Sequence, residues 1–235
     1  MDDFTDRQLT RRDSLLKAGG LVAGMLGLGA WKLASSDEAD GAGPAAVASG
    51  AVSCVLAPEQ TEGPYYISGE KLRRDVRDGH PGTKLTLKLK VVNASTCKPI
   101  KGAVVEIWHC DAAGNYSGFG GGSASRTFLR GQQKSDAKGV ATFTTIYPGW
   151  YQGRTVHIHV KVHLGGSVVH TGQLYFSDTV TDAVFRSSPY AARGSRQVRN
   201  ADDSIYRNGG KRSQLSLKRS GAAYVGSIAM GVHRS

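Results

Sequence analysis

Lys84-Leu-Thr-Leu-Lys-Leu-Lys-Val-Val92 alternates apolar and polar side chains along its length. In a strand successive side chains point to opposite faces, so this stretch reads as a β-strand with one face buried and the other wet. The same reading extends in both directions. Ala103-Val-Val-Glu-Ile-Trp-His109 follows a Pro/Gly turn as a second strand, and Gly139-Val-Ala-Thr-Phe-Thr-Thr-Ile146 is a third. Val156-His-Ile-His-Val-Lys-Val-His163 is a fourth and residues 168–176 a fifth, with Leu215–Leu217 and Tyr224–Val232 as closing strands. Beyond residue 54 the only helical pattern is a turn in Thr179–Phe185. Short strands separated by Gly-rich turns predict an all-β chain, an antiparallel β-sandwich with long active-site loops. Lys98-Pro-Ile-Lys-Gly102 is expected to close a hairpin between the first two strands.

The first 53 residues are of another kind. Thr10-Arg-Arg-Asp-Ser-Leu-Leu-Lys17 precedes an apolar, Gly-rich run from Ala18 to Ala34, in the manner of a twin-arginine export signal. That run is short and contains five Gly and one Lys, so no stable membrane span is expected from it. Residues 35–53 have linker composition, and Ala46-Val47-Ala48 offers a small-residue cleavage site. The expected organisation is an export signal and linker over 1–53 and a single sandwich domain over 54–235, in a protein exported to the periplasm or beyond. The net charge of +11 divides into −2 before residue 54 and +13 after it. The basic charges are scattered, without a helix-turn-helix, RRM-like or zinc-finger pattern, which argues against a nucleic-acid partner. A field of that sign suits anionic aromatics or an acidic polymer surface, and also simple solubility.

Three cysteines in an exported chain fit one bridge and one leftover thiol. Cys97 and Cys110, on the two strands of the expected hairpin, would stand roughly 20 Å apart, too far for a bridge. Cys54 can approach either, or serve instead for lipid attachment. Cys54–Cys97 is the preferred pair because Cys110 adjoins the candidate site.

That site starts from His157 and His159. At i and i+2 on a strand both imidazoles point to one face and can bind one metal. Paired histidines are weak evidence alone, since a solvent-facing pair has the same spacing and His163 shares the face. Tyr151, after the turn Pro148-Gly-Trp150, and Tyr116, ending the loop Asp111-Ala-Ala-Gly-Asn, change the weight. Phenolate is a hard oxygen donor and imidazole suits iron, so this set favours ferric iron over zinc. A zinc hydrolase would need a carboxylate or a third His at ligand spacing.

Together Thr61-Glu-Gly-Pro64, Cys97-Lys-Pro-Ile-Lys-Gly-Ala103, Trp108-His-Cys-Asp111, Gly114-Asn-Tyr116, Pro148-Gly-Trp-Tyr151, Arg154-Thr-Val-His-Ile-His159 and Gln173-Leu-Tyr-Phe176 resemble the intradiol ring-cleavage dioxygenases, over about residues 54–235. The resemblance implies a sandwich that binds Fe(3+) through Tyr116 and His157 as equatorial and Tyr151 and His159 as axial ligands. It implies an aromatic diol and dioxygen as substrates and a cis,cis-muconate as product, with Tyr151 displaced as catechol binds and accepting one of its protons. Arg154 and Gln173 would touch the substrate ring, the arginine stabilising charge on it and the glutamine orienting it. Tyr65 and Tyr66 would border the pocket mouth. His157 follows Tyr151 by only six residues, Trp150 stands where the cytoplasmic enzymes have Pro, and no helical dimerisation region precedes the domain. These departures resemble the secreted branch of the family. The turns at Pro99–Gly102 and Asp136–Gly139 are also similar to transthyretin-like modules, metal-free sandwiches with structural or adhesive roles. Fold alone does not separate the two, but a Tyr/Tyr/His/His set does. Of the other histidines, His109 reads as a core or supporting residue and His80, His163, His170 and His233 as surface groups.

Overall fold

The computed structural model describes residues 56–233; the expected export signal and Cys54 lie outside them. Eight strands form two four-stranded sheets: β1 Lys84–Asn93, β2 Val104–Trp108, β3 Arg130–Lys134, β4 Val140–Ile146, β5 His157–Leu164, β6 Ser167–Tyr175, β7 Ser216–Ser220 and β8 Ala223–Val232. One sheet has the order β4-β1-β8-β7 and the other β3-β2-β5-β6. Helices α1 (Asp178–Val184) and α2 (Ser204–Arg207) lie in the long β6–β7 connection. The sandwich is as expected, and every ladder but one is antiparallel. The exception is β1–β8, which pairs in parallel with Leu85 opposite Tyr224.

The alternation in β1 does what its period requires. Leu85, Leu87, Leu89 and Val91 are fully buried, while Lys84, Lys88 and Lys90 face water. Phe143 of β4 lies beside them in the same sheet, and Val105 and Ile107 of β2 with Ile158, Val160 and Val162 of β5 close the apolar layer from the other sheet. Each such side chain contributes roughly 1.5–3 kcal/mol from burial.

One local expectation is corrected, and one strand lies where none is expected. Residues 98–102 do not close a hairpin, because β1 pairs with β4 and β8 whereas β2 pairs with β3 and β5. The segment instead crosses between sheets, starting from a turn in which Asn93 Oδ1 accepts from the N–H groups of Ser95 and Thr96. Strand β3 carried no apolar signal. Gly131 occupies its second position, where a Cβ would lie 2.8 Å from Val76 Cγ1. Cys97 is disulfide-bonded and Cys110 is a buried free thiol, the division expected of the preferred pairing.

The outer face of the second sheet positions the site. Register sets Arg130, Trp108, His159 and Gln173 side by side across β3, β2, β5 and β6, all at most 1% exposed. They are buried because the segment 57–76 runs over this face, bonded at Gln60 N–H to Thr171 O (2.9 Å) and at Gln132 N–H to Lys71 O (2.9 Å).

Within that strap Glu70 is 7% exposed, 3.6 Å from the Arg130 guanidinium, and its Oε1 lacks a hydrogen bond. Burial pushes its carboxyl up to about 7 despite Arg130. The unfolded chain releases this proton near 4.5 and the folded chain only near 7, so its stabilisation is full below the lower value and lost as pH rises to the upper. Glu70→Gln is therefore expected to lose less stability than wild type between about pH 5 and about pH 8. Urea midpoints at the two pH values check this; parallel losses in both proteins would refute it.

Candidate metal centre

Strand β5 turns His157 and His159 outward under the strap, 2% and 0% exposed. Their Nε2 atoms lie 3.1 Å apart. His157 Nδ1 is 2.7 Å from the carbonyl of Thr155. A carbonyl only accepts, so Nδ1 carries the proton and Nε2 presents its lone pair, the arrangement by which protein groups prepare an imidazole ligand. Tyr151 Oη donates to that same Nε2 at 3.1 Å. The His159 ring lies flat against Trp108, centroids 4.9 Å apart and planes within 5°.

Tyr116 joins them from the loop after β2. Asp111 Oδ1 accepts from the N–H groups of Ala113 and Asn115 and folds this loop tightly. Gly114, at φ +88, lets it press on the next turn: a Cβ there would stand 2.4 Å from Trp150 O. Gly149 closes the contact from the other side, where a Cβ would stand 2.5 Å from the carbonyl oxygens of Asp111 and Ala112. The two loops that carry Tyr116 and Tyr151 are thus held together by close backbone packing that a side chain would prevent. The rings of the two tyrosines meet edge to face at 5.6 Å, and Tyr116 lies 6.3 Å from the His159 ring.

Tyr116 is 4% exposed and its hydroxyl meets no partner at hydrogen-bonding geometry, although Tyr151 is near enough to interact with it. Burial raises the Tyr116 phenol well above its ordinary range and pushes Tyr151 up to about 12. It also pushes His157 down to about 3 and His159 well below the ordinary imidazole range. Desolvation thus holds all four groups neutral. One buried phenol, one half-buried phenol and two buried imidazoles, with one hydroxyl unpaired and one ring nitrogen fixed as a lone pair, fit a cation. A positive ion here would satisfy the orphaned oxygen and favour phenolate over phenol. Among the described residues no group of three or more His, Cys, Asp or Glu comes together to hold a metal, so any metal bound here must use the phenols.

The strap forms one wall. Gly63, at φ +69, passes over His159, where a Cβ would be 3.2 Å from Cε1. Tyr65 stacks on Tyr116 at 4.2 Å and 12° and meets Tyr151 edge-on at 5.9 Å. Tyr66 lies instead against Trp108 and donates to Glu106 Oε2. Arg130 ties this wall to the Tyr116 loop, donating to the carbonyls of Tyr65 (2.7 Å) and Ser117 (2.7 Å).

On the other side Arg154 Nη2 donates to Gln173 Oε1 (2.5 Å) and Nε to Asp203 Oδ2 (2.8 Å). Gln173 Nε2 donates to Thr61 O (3.0 Å), and the Tyr175 hydroxyl donates to Gln173 Oε1 (3.0 Å). All the residues singled out from the sequence, Tyr116, Tyr151, Arg154, His157, His159 and Gln173, therefore meet in one region. Sequence reasoning missed Arg130 and Asp203. The only local signal for Asp203 is that of a helix N-cap, Asp before Ser204-Ile205. Among the other histidines, His109 is buried between Cys110 O and Thr145 Oγ1, as a supporting residue would be. His170 is not a surface group: it is 3% exposed with Nδ1 2.7 Å from Glu59, because the strap covers it. His163 is only partly exposed, 3.3 Å from Glu106.

Residues 61–202 match a family model described as Dioxygenase. Catechol 1,2-dioxygenase 2 of Acinetobacter lwoffii is 34% identical over 110 residues, 42% of this chain and 38% of that protein. Chlorocatechol 1,2-dioxygenase of Rhodococcus opacus is 27% identical over 143 residues, 53% of this chain and 55% of that one. The chain thus spans about two-fifths to a little over half of these curated relatives. A solved intradiol ring-cleavage dioxygenase of Tetranychus urticae is 35% identical and superposes with a TM-score of 0.74, covering 77% of this chain and 95% of that one. The dioxygenase domain of a carbohydrate-binding fusion from Streptomyces sp. SirexAA-E is 30% identical, with a TM-score of 0.60 over 77% and 99% of the two chains.

Proposed function

The chain belongs to the intradiol ring-cleavage dioxygenase family, and from that premise we propose that it opens catechol-type aromatics between their hydroxyls, giving cis,cis-muconates. In this reading Tyr116, Tyr151, His157 and His159 hold one ferric ion. The observation that carries it is the buried, unpaired Tyr116 hydroxyl in one cluster with Tyr151 and His159, whose Nε2 lies 3.1 Å from the lone-pair nitrogen of His157. When bound, ferric iron supplies a site where a catecholate becomes electron-rich enough to react with dioxygen. The rest falls to the chain's own groups.

Tyr116 is 4% exposed and boxed in by Tyr65, so it is the fixed phenol. Tyr151 is only partly buried and is the phenol with room to move aside, taking up a substrate proton at Oη. Thr155 O keeps the His157 tautomer constant throughout. Arg154 stays charged at any working pH and can stabilise anionic charge developing on the ring. Gln173, anchored to Thr61, fixes that guanidinium and borders the ring. The strap, Trp108 and the tyrosines exclude water. A metal-free structural module has no use for a buried hydroxyl without a partner, which costs about 1–3 kcal/mol.

Purified protein loaded with iron is expected to show the visible charge-transfer colour of tyrosinate-bound ferric iron. It should convert catechol and isotopically labelled dioxygen to a muconate carrying both labelled atoms. A colourless protein with zinc or no metal, or a semialdehyde product, would refute the proposal.

A further inference from the structure

Asp203 lies just past the matched segment, which ends at residue 202, and its side chain is 1% exposed. Its two oxygens are divided between two tasks. Oδ1 accepts the N–H groups of Ile205 (2.8 Å) and Tyr206 (3.0 Å), capping α2. Oδ2 accepts Arg154 Nε (2.8 Å) and the Thr155 N–H (2.9 Å). A helix cap needs only the first oxygen. The second is spent wholly on the two residues that lead into the histidine strand.

We infer that Asp203 is the positioning residue of this site, fixing through Oδ2 the plane of the Arg154 guanidinium at Nε while Gln173 Oε1 holds it at Nη2. The inference rests on the function proposed above. The Nε and Nη2 hydrogens of a guanidinium lie in one rigid plane, so two acceptors on separate elements fix its orientation. Those acceptors belong to β6 and to the cap of α2, both anchored in the fold. Asp203 also holds the backbone of Thr155, whose carbonyl orients His157, but Thr155 has a second anchor in Asn200 Oδ1 (2.7 Å). Loss of Asp203 should therefore release Arg154 more than the histidine.

The test is a cycle of Asp203→Ser, Arg154→Ala and the double variant, in iron-loaded enzyme, with iron content, visible band, thermal stability and steady-state kinetics measured together. Serine keeps a cap oxygen and removes the carboxylate from Arg154. Asp203→Ser is expected to retain the band and to lose about tenfold in kcat per bound iron, with little change in KM. The double variant should be little slower than Arg154→Ala, because the aspartate acts on the rate chiefly through the arginine while Asn200 still anchors Thr155. Should the serine variant fold poorly, Asp203→Asn takes its place. With its oxygen on the cap, its amide would face two N–H donors, so the same loss per iron is expected. Asp203→Glu should recover part of the rate. Unchanged kcat per iron in an Asp203 variant, or losses that multiply in the double variant, would overturn the inference alone. Iron-loaded wild type that opens no catechol would overturn it together with the proposed function.

Discussion

Tyr116→Phe is expected to give a protein that folds at least as well as wild type without metal yet holds almost no iron. The two halves have one cause. The hydroxyl is buried without a hydrogen bond, and burial raises its pKa so far that the metal-free protein holds it as a neutral phenol. An unpaired buried polar group costs about 1–3 kcal/mol, and phenylalanine removes it while keeping the ring stacked on Tyr65 and edge-on to Tyr151. The same oxygen is the one permanent phenolate of the proposed ligand set. Losing a group that merely orients a ligand commonly costs 10–100-fold in metal affinity or activity, so losing a ligand itself should cost turnover more than about hundredfold. Denaturation of the metal-stripped proteins, iron content after loading and turnover check the three parts. A variant with wild-type iron would remove Tyr116 from the ligand set. A clearly destabilised metal-free variant would mean that the hydroxyl has a stabilising partner.

The opposite signs matter because most core substitutions move stability and function together. At His159 the comparison would be less clean, since alanine there also empties the face of Trp108. Tyr116 offers the separation because only an oxygen is deleted, one that meets no partner at hydrogen-bonding geometry although the Tyr151 hydroxyl is close by.

How far the sequence reaches follows from the range of each interaction. His157 and His159 are legible because a strand imposes a two-residue period, and β1 is legible for the same reason. The joining of the Tyr116 and Tyr151 loops is not, because it depends on Gly114 and Gly149 meeting backbone atoms more than thirty residues away. Glycine in a loop announces a turn, not what the turn will touch. Arg130 reads as one more basic residue on a strand without an apolar pattern, yet its guanidinium is 1% exposed and bonded to Tyr65, 65 positions earlier. Asp203 reads as a helix cap, and half of it is one. The hairpin expected at residues 98–102 failed because a Pro/Gly turn between two strands has the same local composition whether the strands pair or part into different sheets. Only the partners of β1, which lie at residues 140–146 and 223–232, decide between them.

Arg154→Ala is expected to keep iron and colour while losing on the order of hundredfold in kcat, the scale of removing one preorganised electrostatic group from a buried site. The guanidinium is not among the four groups proposed to hold the metal, so its loss should leave their set intact. It bonds to Gln173 and Asp203 and is 16% exposed, near enough to influence both the Tyr151 phenol and the two imidazoles. Charge that develops on the ring only after substrate has bound makes the loss fall on kcat, with KM little changed. Stability should suffer less than for a typical broken buried ion pair. Asp203 keeps three backbone N–H donors, from Thr155, Ile205 and Tyr206, when the arginine is gone. Arg154→Lys should rescue poorly: a point charge on a flexible stem cannot meet Asp203 and Gln173 in one plane. Steady-state kinetics normalised to bound iron, beside the visible spectrum, decide the matter. Full turnover per iron in the alanine variant would refute the role given to Arg154, and loss of its iron would make the residue a support of the metal site instead.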